Sequence, residues 1–177
     1  MPQLRSTTIL AVRRDGRLAV AGDGQVTLNN TVVKRKARKV RRIYHDRIIV
    51  GFAGATADAL NLSERLEGKL ERYNGSLMRA AVELAREWRS DKYLRRLEAL
   101  MIAADKERML LISGSGDVIE PDDAVLAIGS GAVAAQAAAE ALLGHTRLDA
   151  RAVVVAAMEI AAGICVFTNA NVSIEEM

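Results

Sequence analysis

Aromatic side chains are nearly absent from this chain: one Trp, three Tyr and two Phe make up 3% of 177 residues. A groove that stacks unpaired bases has few side chains to draw on, and the interior must be filled by smaller groups. Cysteine is scarcer still. The single Cys165 excludes an intrachain disulfide and fits a reducing compartment. No secretory h-region stands near the start, and the apolar runs 152–158 and 160–167 are too short to span a bilayer. The expected location is therefore the cytoplasm, with no membrane partner. No G-x-x-x-x-G-K-[ST] loop occurs, so any ATP hydrolysis belongs to another chain. Charge of one sign is also lacking: 25 basic against 22 acidic residues leave +3, too little to imply a polyanionic partner.

What is abundant is small apolar residues. Half of the chain is hydrophobic, much of it alanine and valine, which suits layers that approach closely. A chain of this length fits one domain and buries about 70% of its unfolded surface without staples.

Periodicity divides the chain into alternating groups. Residues 7–12 and 18–21 read as strands joined by Asp15-Gly16, a hairpin signal. Gly22-Asp23-Gly24 ends the second strand. Residues 26–33 form a weak extended segment broken at Asn29-Asn30, and 48–53 a buried strand. Helical spacing follows: Thr56 caps a helix to about 73 with Leu62, Leu66 and Leu70 on one face, and Ser76 caps a second carrying Leu77, Ala81, Leu84 and Trp88. Strands return at 100–104, 109–113 and 124–128. An alanine-rich helix spans 132–143 and stops at Gly144, Asp149 caps another to about 162, and 164–168 reads as a last strand. Strands alternating with helix pairs do not give a doubly wound sheet. They suit two packed sheets with a helix pair on each outer face.

The stretch that organises this pattern is Thr7-Thr8 at the head of the first strand. The preceding residues, MPQLRS, show no periodicity. Cleavage after Ser6 would give Thr7 a free α-amine, with a reference pKa of about 8, beside its own hydroxyl. That amine can take the hydroxyl proton near neutral pH. The plainer alternative is two β-formers in an edge strand near a frayed terminus. Asp23, just past the returning strand, falls near Thr7. Lys39 lies within the basic run 34–42, seven cations in nine residues, and is the candidate to sit beneath Thr7, where an acidic partner must hold it charged. Gly54 is placed to offer an N–H to an oxyanion, and Ser130 to hydrogen-bond the amine. Each has a structural alternative: a turn residue, a solvated basic face or nucleic-acid patch, a turn glycine, a helix cap. Gly129 to Ala134 also fit G-x-G-x-x-A, a dinucleotide pattern, although the second strand of a βαβ unit is missing.

Together these motifs resemble the proteasome-like N-terminal-nucleophile hydrolases. The resemblance is carried by Thr7-Thr8-Ile9, the run 21–25 (AGDGQ), the run 39–42 (KVRR), the runs 51–54 (GFAG) and 56–59 (TADA), 80–85 (AAVELA), 97–100 (LEAL), 127–131 (AIGSG) and Thr168-Asn169. It covers the chain from Thr7 nearly to Met177. It implies an α+β, four-layer αββα sandwich, residues 1–6 as a prosegment and 7–177 as one peptidase domain. It further implies Thr7 as nucleophile, Lys39 and Asp23 as its supports, Ser130 near the amine and Gly54 as oxyanion donor. A sodium ion held by the carbonyls of Ala162, Cys165 and Thr168 also follows from it; Ala162 stands where the family usually has glycine. The implied partners are a hexameric AAA+ ATPase, further copies forming a double hexameric ring, and unfolded protein substrates. A small-molecule amidohydrolase of the same nucleophile class and a non-catalytic ring subunit are the rival readings.

Overall fold

The computed structural model describes residues 4–5, 7–54, 56–94, 97 and 99–177; the side chains of residues 4, 5, 56 and 57 are outside the description. Their order is β1 (Leu4–Arg5), β2 (Thr8–Arg14), β3 (Arg17–Asp23), β4 (Val26–Leu28), β5 (Thr31–Lys34), β6 (Val40–Ile43) and β7 (Ile48–Ala53). Then come α1 (Thr56–Arg72), α2 (Leu77–Ser90), β8 (Leu100–Ala104), β9 (Met109–Ser113), β10 (Val118–Ile119), β11 (Val125–Gly129), α3 (Ala132–His145), α4 (Ala150–Ile164) and β12 (Val172–Glu176).

Two antiparallel sheets form the centre, ordered β11-β2-β3-β12 and β10-β9-β8-β7-β6. β2 shows why they stack. Successive side chains of a strand point to opposite faces. Ile9 and Ala11 join Val40, Ile49 and Ile102 between the sheets, while Leu10 and Val12 join Val153, Ala157 and Met158 beneath α3 and α4. With both faces covered, the strand is apolar throughout. The sheets approach closely because glycines stand at their contact: a Cβ at Gly51 would lie 2.6 Å from Ile9 Cγ2, and one at Gly22 2.8 Å from Val40 Cγ2. On the far side, Leu62, Leu66 and Leu70 of α1 and Leu77, Leu84 and Trp88 of α2 cover Val50, Phe52 and Met101. Fully burying a leucine contributes about 1.5–3 kcal/mol, so the spacing of four dictates which face of α1 turns inward. The result is the expected four-layer αββα sandwich.

Several local expectations hold. The β2–β3 hairpin turns on Asp15 (φ 52°) and Gly16 (φ 74°), the type I′ combination. Gly75, at φ 79°, donates its N–H to the Leu70 carbonyl and closes α1. Asp149 caps α4 by accepting from Ala152 N at 2.8 Å. Ser76 occupies the N-cap of α2 without a side-chain capping bond; any cap from the Thr56 side chain lies outside the described residues.

Others are corrected. Gly144 does not stop α3, which runs to His145 before Thr146 ends it, with Oγ1 bonded to the Leu142 carbonyl at 2.6 Å. A helical glycine is only mildly unfavourable and halts nothing by itself. Residues 164–168 are not a strand. Ile164 closes α4 and the chain then turns, leaving Ile164 and Val166 exposed. Short apolar runs do not distinguish a helix end from a strand, and the β3 edge is taken instead by β12, Val172 opposite Asp23 through Glu176 opposite Ala19. The segment 26–33 is a hairpin, β4–β5, with Asn29 at φ 52°. Its β4 edge pairs with β1, Leu4 opposite Leu28 and Arg5 opposite Thr27.

Candidate active site

Thr7 and Thr8 are not at an edge. β2 lies between β11 and β3, Thr8 is wholly buried and Thr7 is 5% exposed. The strand head is gripped on one side by the loop from β11 to α3. Ser130 N donates to the Thr7 carbonyl at 2.8 Å, and Gly131 N to Thr8 Oγ1 at 3.0 Å. Both glycines of this loop are required by proximity. A Cβ on Gly129, whose φ is 99°, would sit 1.9 Å from the Thr7 carbonyl oxygen, and one on Gly131 would sit 2.4 Å from Thr8 Oγ1. The dinucleotide reading of residues 129–134 therefore falls: β11 runs antiparallel to β2, and the glycines make room for threonines, not for a pyrophosphate.

On the other side stands Asp23, the last residue of β3 and wholly buried. Its Oδ1 accepts from Thr8 N at 2.8 Å and from Lys39 Nζ at 2.8 Å, and its Oδ2 from Gln25 N at 2.9 Å. Lys39 Nζ also donates to the Gln25 carbonyl at 2.5 Å. The lysine side chain is 9% exposed. Loss of hydration pushes its pKa below the ordinary lysine range, against the charge and hydrogen bond of Asp23, which hold it up. A lone buried ammonium would be costly, and a buried carboxylate likewise; each meets the other's need. In the full chain the Thr7 nitrogen is an amide joined to Ser6, so the amine that would sit beside this pair exists only after cleavage.

The sequence-derived residues thus fall as follows. Thr7, Asp23 and Lys39 converge at the head of β2. Ser130 meets Thr7 through its backbone, and its side chain is exposed. Gly54 follows β7 at φ 151°, a conformation that favours glycine. β7 runs beside Lys39, whose carbonyl accepts from Phe52 N at 3.3 Å. Ala162 lies in the last turn of α4, Cys165 is its C-cap, and the Cys165 carbonyl accepts from Thr168 N at 3.0 Å. Carbonyls at a helix C-terminus carry partial negative charge, which is the chemistry a hard monovalent cation would call on at Ala162 and Cys165; Thr168 lies beyond the helix end. Among the described residues no group of three or more His, Cys, Asp or Glu forms a metal site, and a carbonyl site would not call on them.

Three of the seven cations in the run 34–42 are held by carboxylates. Arg38 and Arg42 both reach Glu175 of β12, at 3.0 and 2.8 Å, and Lys39 is taken by Asp23. Side-chain roles that sequence reasoning missed are those of Thr8 and Thr168. Their hydroxyls meet at 2.7 Å across 160 residues of sequence, and no local pattern announces such a pair.

Comparison with known proteins joins this geometry to a family. The family model described as "Proteasome subunit" matches residues 4–177. The chain belongs to the proteasome family. Within that family it is 61% identical over 177 residues to the ATP-dependent protease subunit HslV of Sulfurihydrogenibium sp., covering 100% of this chain and 99% of the relative. It is 59% identical over 175 residues to that of Aquifex aeolicus, covering 99% of each. Among solved structures, the crystal structure of eukaryotic HslV from Trypanosoma brucei superposes with a TM-score of 0.91 at 48% identity, covering 96% of this chain and 98% of that one. Similarity to HslV at this identity and coverage supports threonine-type peptidase activity for this proteasome-family chain.

Proposed function

We propose that this chain is the proteolytic subunit of a two-component ATP-dependent protease, and that Thr7 is its nucleophile once residues 1–6 are removed. Cleavage turns the Thr7 amide into an amine. The amine accepts the Oγ proton, Oγ adds to the peptide carbonyl, and the same amine then protonates the departing nitrogen. Gly54 N–H receives the oxyanion, a contribution of about 3 kcal/mol for donors of this kind. Water, deprotonated by the amine, hydrolyses the resulting ester and frees Thr7. Lys39 keeps positive charge beside the nucleophile, Asp23 keeps Lys39 charged and fixes Thr8 N, and Ser130, whose backbone holds the Thr7 carbonyl, has the part of hydrogen-bonding the freed amine.

The observation that supports this reading is the convergence at one strand head of a buried ammonium–carboxylate pair with the threonine that the prosegment hides. The assembly belongs to the same proposal: a double hexameric ring of this chain, capped by a hexameric HslU-like AAA+ ATPase that delivers unfolded proteins. A sodium ion held by the carbonyls of Ala162, Cys165 and Thr168 would steady the segment carrying Thr168; when bound it supplies local positive charge. Intact-mass measurement on the active assembly tests the central point. The expected mass lacks residues 1–6, and a fully active assembly that retains them rules the mechanism out.

A further inference from the structure

The side-chain amide of Asn169 touches three segments at once. Its Oδ1 accepts from Gly24 N at 3.1 Å and from Asn171 N at 3.2 Å. Its Nδ2 donates to the Arg35 carbonyl at 3.0 Å. Gly24 stands between Asp23, whose carboxylate holds Lys39, and Gln25, whose carbonyl takes the second hydrogen bond from the Lys39 ammonium. Arg35 opens the irregular segment that leads to Lys39. The two segments are also joined directly, Ala37 N to the Gly24 carbonyl at 2.9 Å. They touch so closely that a Cβ on Gly24 would lie 2.5 Å from the Arg35 carbonyl oxygen.

We infer that Asn169 is a positioning residue for the peptidase reaction, a strut that sets the separation between the turn bearing Asp23 and the segment bearing Lys39. The inference rests on the reading of Thr7, Asp23 and Lys39 given above. An amide suits the task because it offers an acceptor and a donor in one short planar group. Alanine offers neither. Aspartate keeps the acceptor for Gly24 N but turns an oxygen toward the Arg35 carbonyl. Thr168, one residue earlier, holds Thr8 through its hydroxyl, so two neighbouring residues of the link between α4 and β12 brace both flanks of the strand head.

The test uses the assembled, processed protein with its ATPase. For Asn169→Ala, kcat on a small peptide amide is expected to fall about 10- to 100-fold, the usual consequence of a misplaced catalytic group, with KM within about twofold. Amide hydrogen exchange at Ala37 should accelerate while that of β2 does not change. Asn169→Asp should recover part of the rate. Wild-type kcat together with unchanged Ala37 exchange in Asn169→Ala overturns the inference, as does a rise in KM at constant kcat. If Asn169→Ala does not assemble, Asn169→Asp decides by the same two readings. Thr7→Ala measured alongside separates the claims. Hydrolysis that survives Thr7→Ala overturns Thr7 as the nucleophile, whereas an inactive Thr7→Ala with a fully active Asn169→Ala overturns only the role of Asn169.

Discussion

The β2–β3 hairpin has two ends built on opposite terms. At the head, Thr8 and Asp23 are wholly buried, a lysine is drawn in to meet the carboxylate, and Gly129 and Gly131 leave no room for a Cβ. At the turn, Asp15 and Gly16 face solvent. Arg14 reaches out to the carbonyls of Thr146 and Leu148 at 2.8 and 3.0 Å, and a Cβ on Gly16 would meet nothing within 4 Å. One pair of strands thus carries polar groups at both ends, desolvated at one and hydrated at the other. The lesson is that identical residue types are held for different reasons. Gly16 is glycine for its backbone angle, Gly129 for its neighbour. Arg14 satisfies carbonyls that water could serve, whereas Lys39 and Asp23 have only the protein.

The comparison is broken most severely by removing the nucleophile. Thr7→Ala should lower peptide hydrolysis by about 10³-fold or more, since nucleophile and base act as a unit, while leaving the assembly intact by size-exclusion chromatography. Wild-type hydrolysis by that variant would remove the chemical reason for the buried head.

Next in size is the pair beneath it. Lys39→Ala strands the Asp23 carboxylate in the interior, and breaking a buried pair from one side costs about 3–5 kcal/mol; denaturant unfolding reads this directly. The protonation of Lys39 gives a sharper test. Burial favours its neutral form, so the ammonium is lost at a lower pH than for an ordinary lysine. The alkaline limb of the rate profile should fall correspondingly early. Asp23 opposes that shift, so Asp23→Asn should move the limb lower still. A limb that moves upward, or does not move, separates Lys39 from the rate.

Gly129→Ala measures the cost of proximity. The substitution adds a strained backbone angle, about 1–3 kcal/mol, and places a methyl group inside contact distance of the Thr7 carbonyl. The loss should exceed the strain alone and should be accompanied by reduced activity, because the displaced atom belongs to Thr7.

How much of this was legible in the sequence follows from the same contrast. The turn end is local: Asp15-Gly16 between apolar runs specifies its own geometry, and the register of the two strands follows. The apolar run of β2, the spacing of leucines on α1 and the Asp149 cap are local too. The head of the hairpin was legible in its members, because a returning strand brings Asp23 near Thr7 and an acid was needed for a buried lysine. Its packing was not. The collision space at Gly129, the meeting of Thr8 with Thr168 and the bridging amide of Asn169 depend on contacts between segments more than a hundred residues apart. The last strand was misplaced for a related reason. Residues 164–168 have strand-like composition, but what decides is the free edge of β3, which 172–176 reaches after the chain has turned at Asn169.

The smallest effect tests the turn end by itself. Gly16→Ala keeps every contact, since nothing lies near the added methyl group, and pays only for a left-handed backbone angle, about 1–2 kcal/mol. Part of this is offset by the narrower unfolded ensemble of alanine, about 0.4–1 kcal/mol. The expected net loss is therefore near 1 kcal/mol in denaturant unfolding, with peptide hydrolysis unchanged. A loss as large as that of Gly129→Ala, or any fall in activity, would mean that the two ends of the hairpin are mechanically coupled through the ladder from Ile9–Gly22 to Arg14–Arg17. The division between a turn that is free to vary and a head that is not would then give way to a single rigid unit.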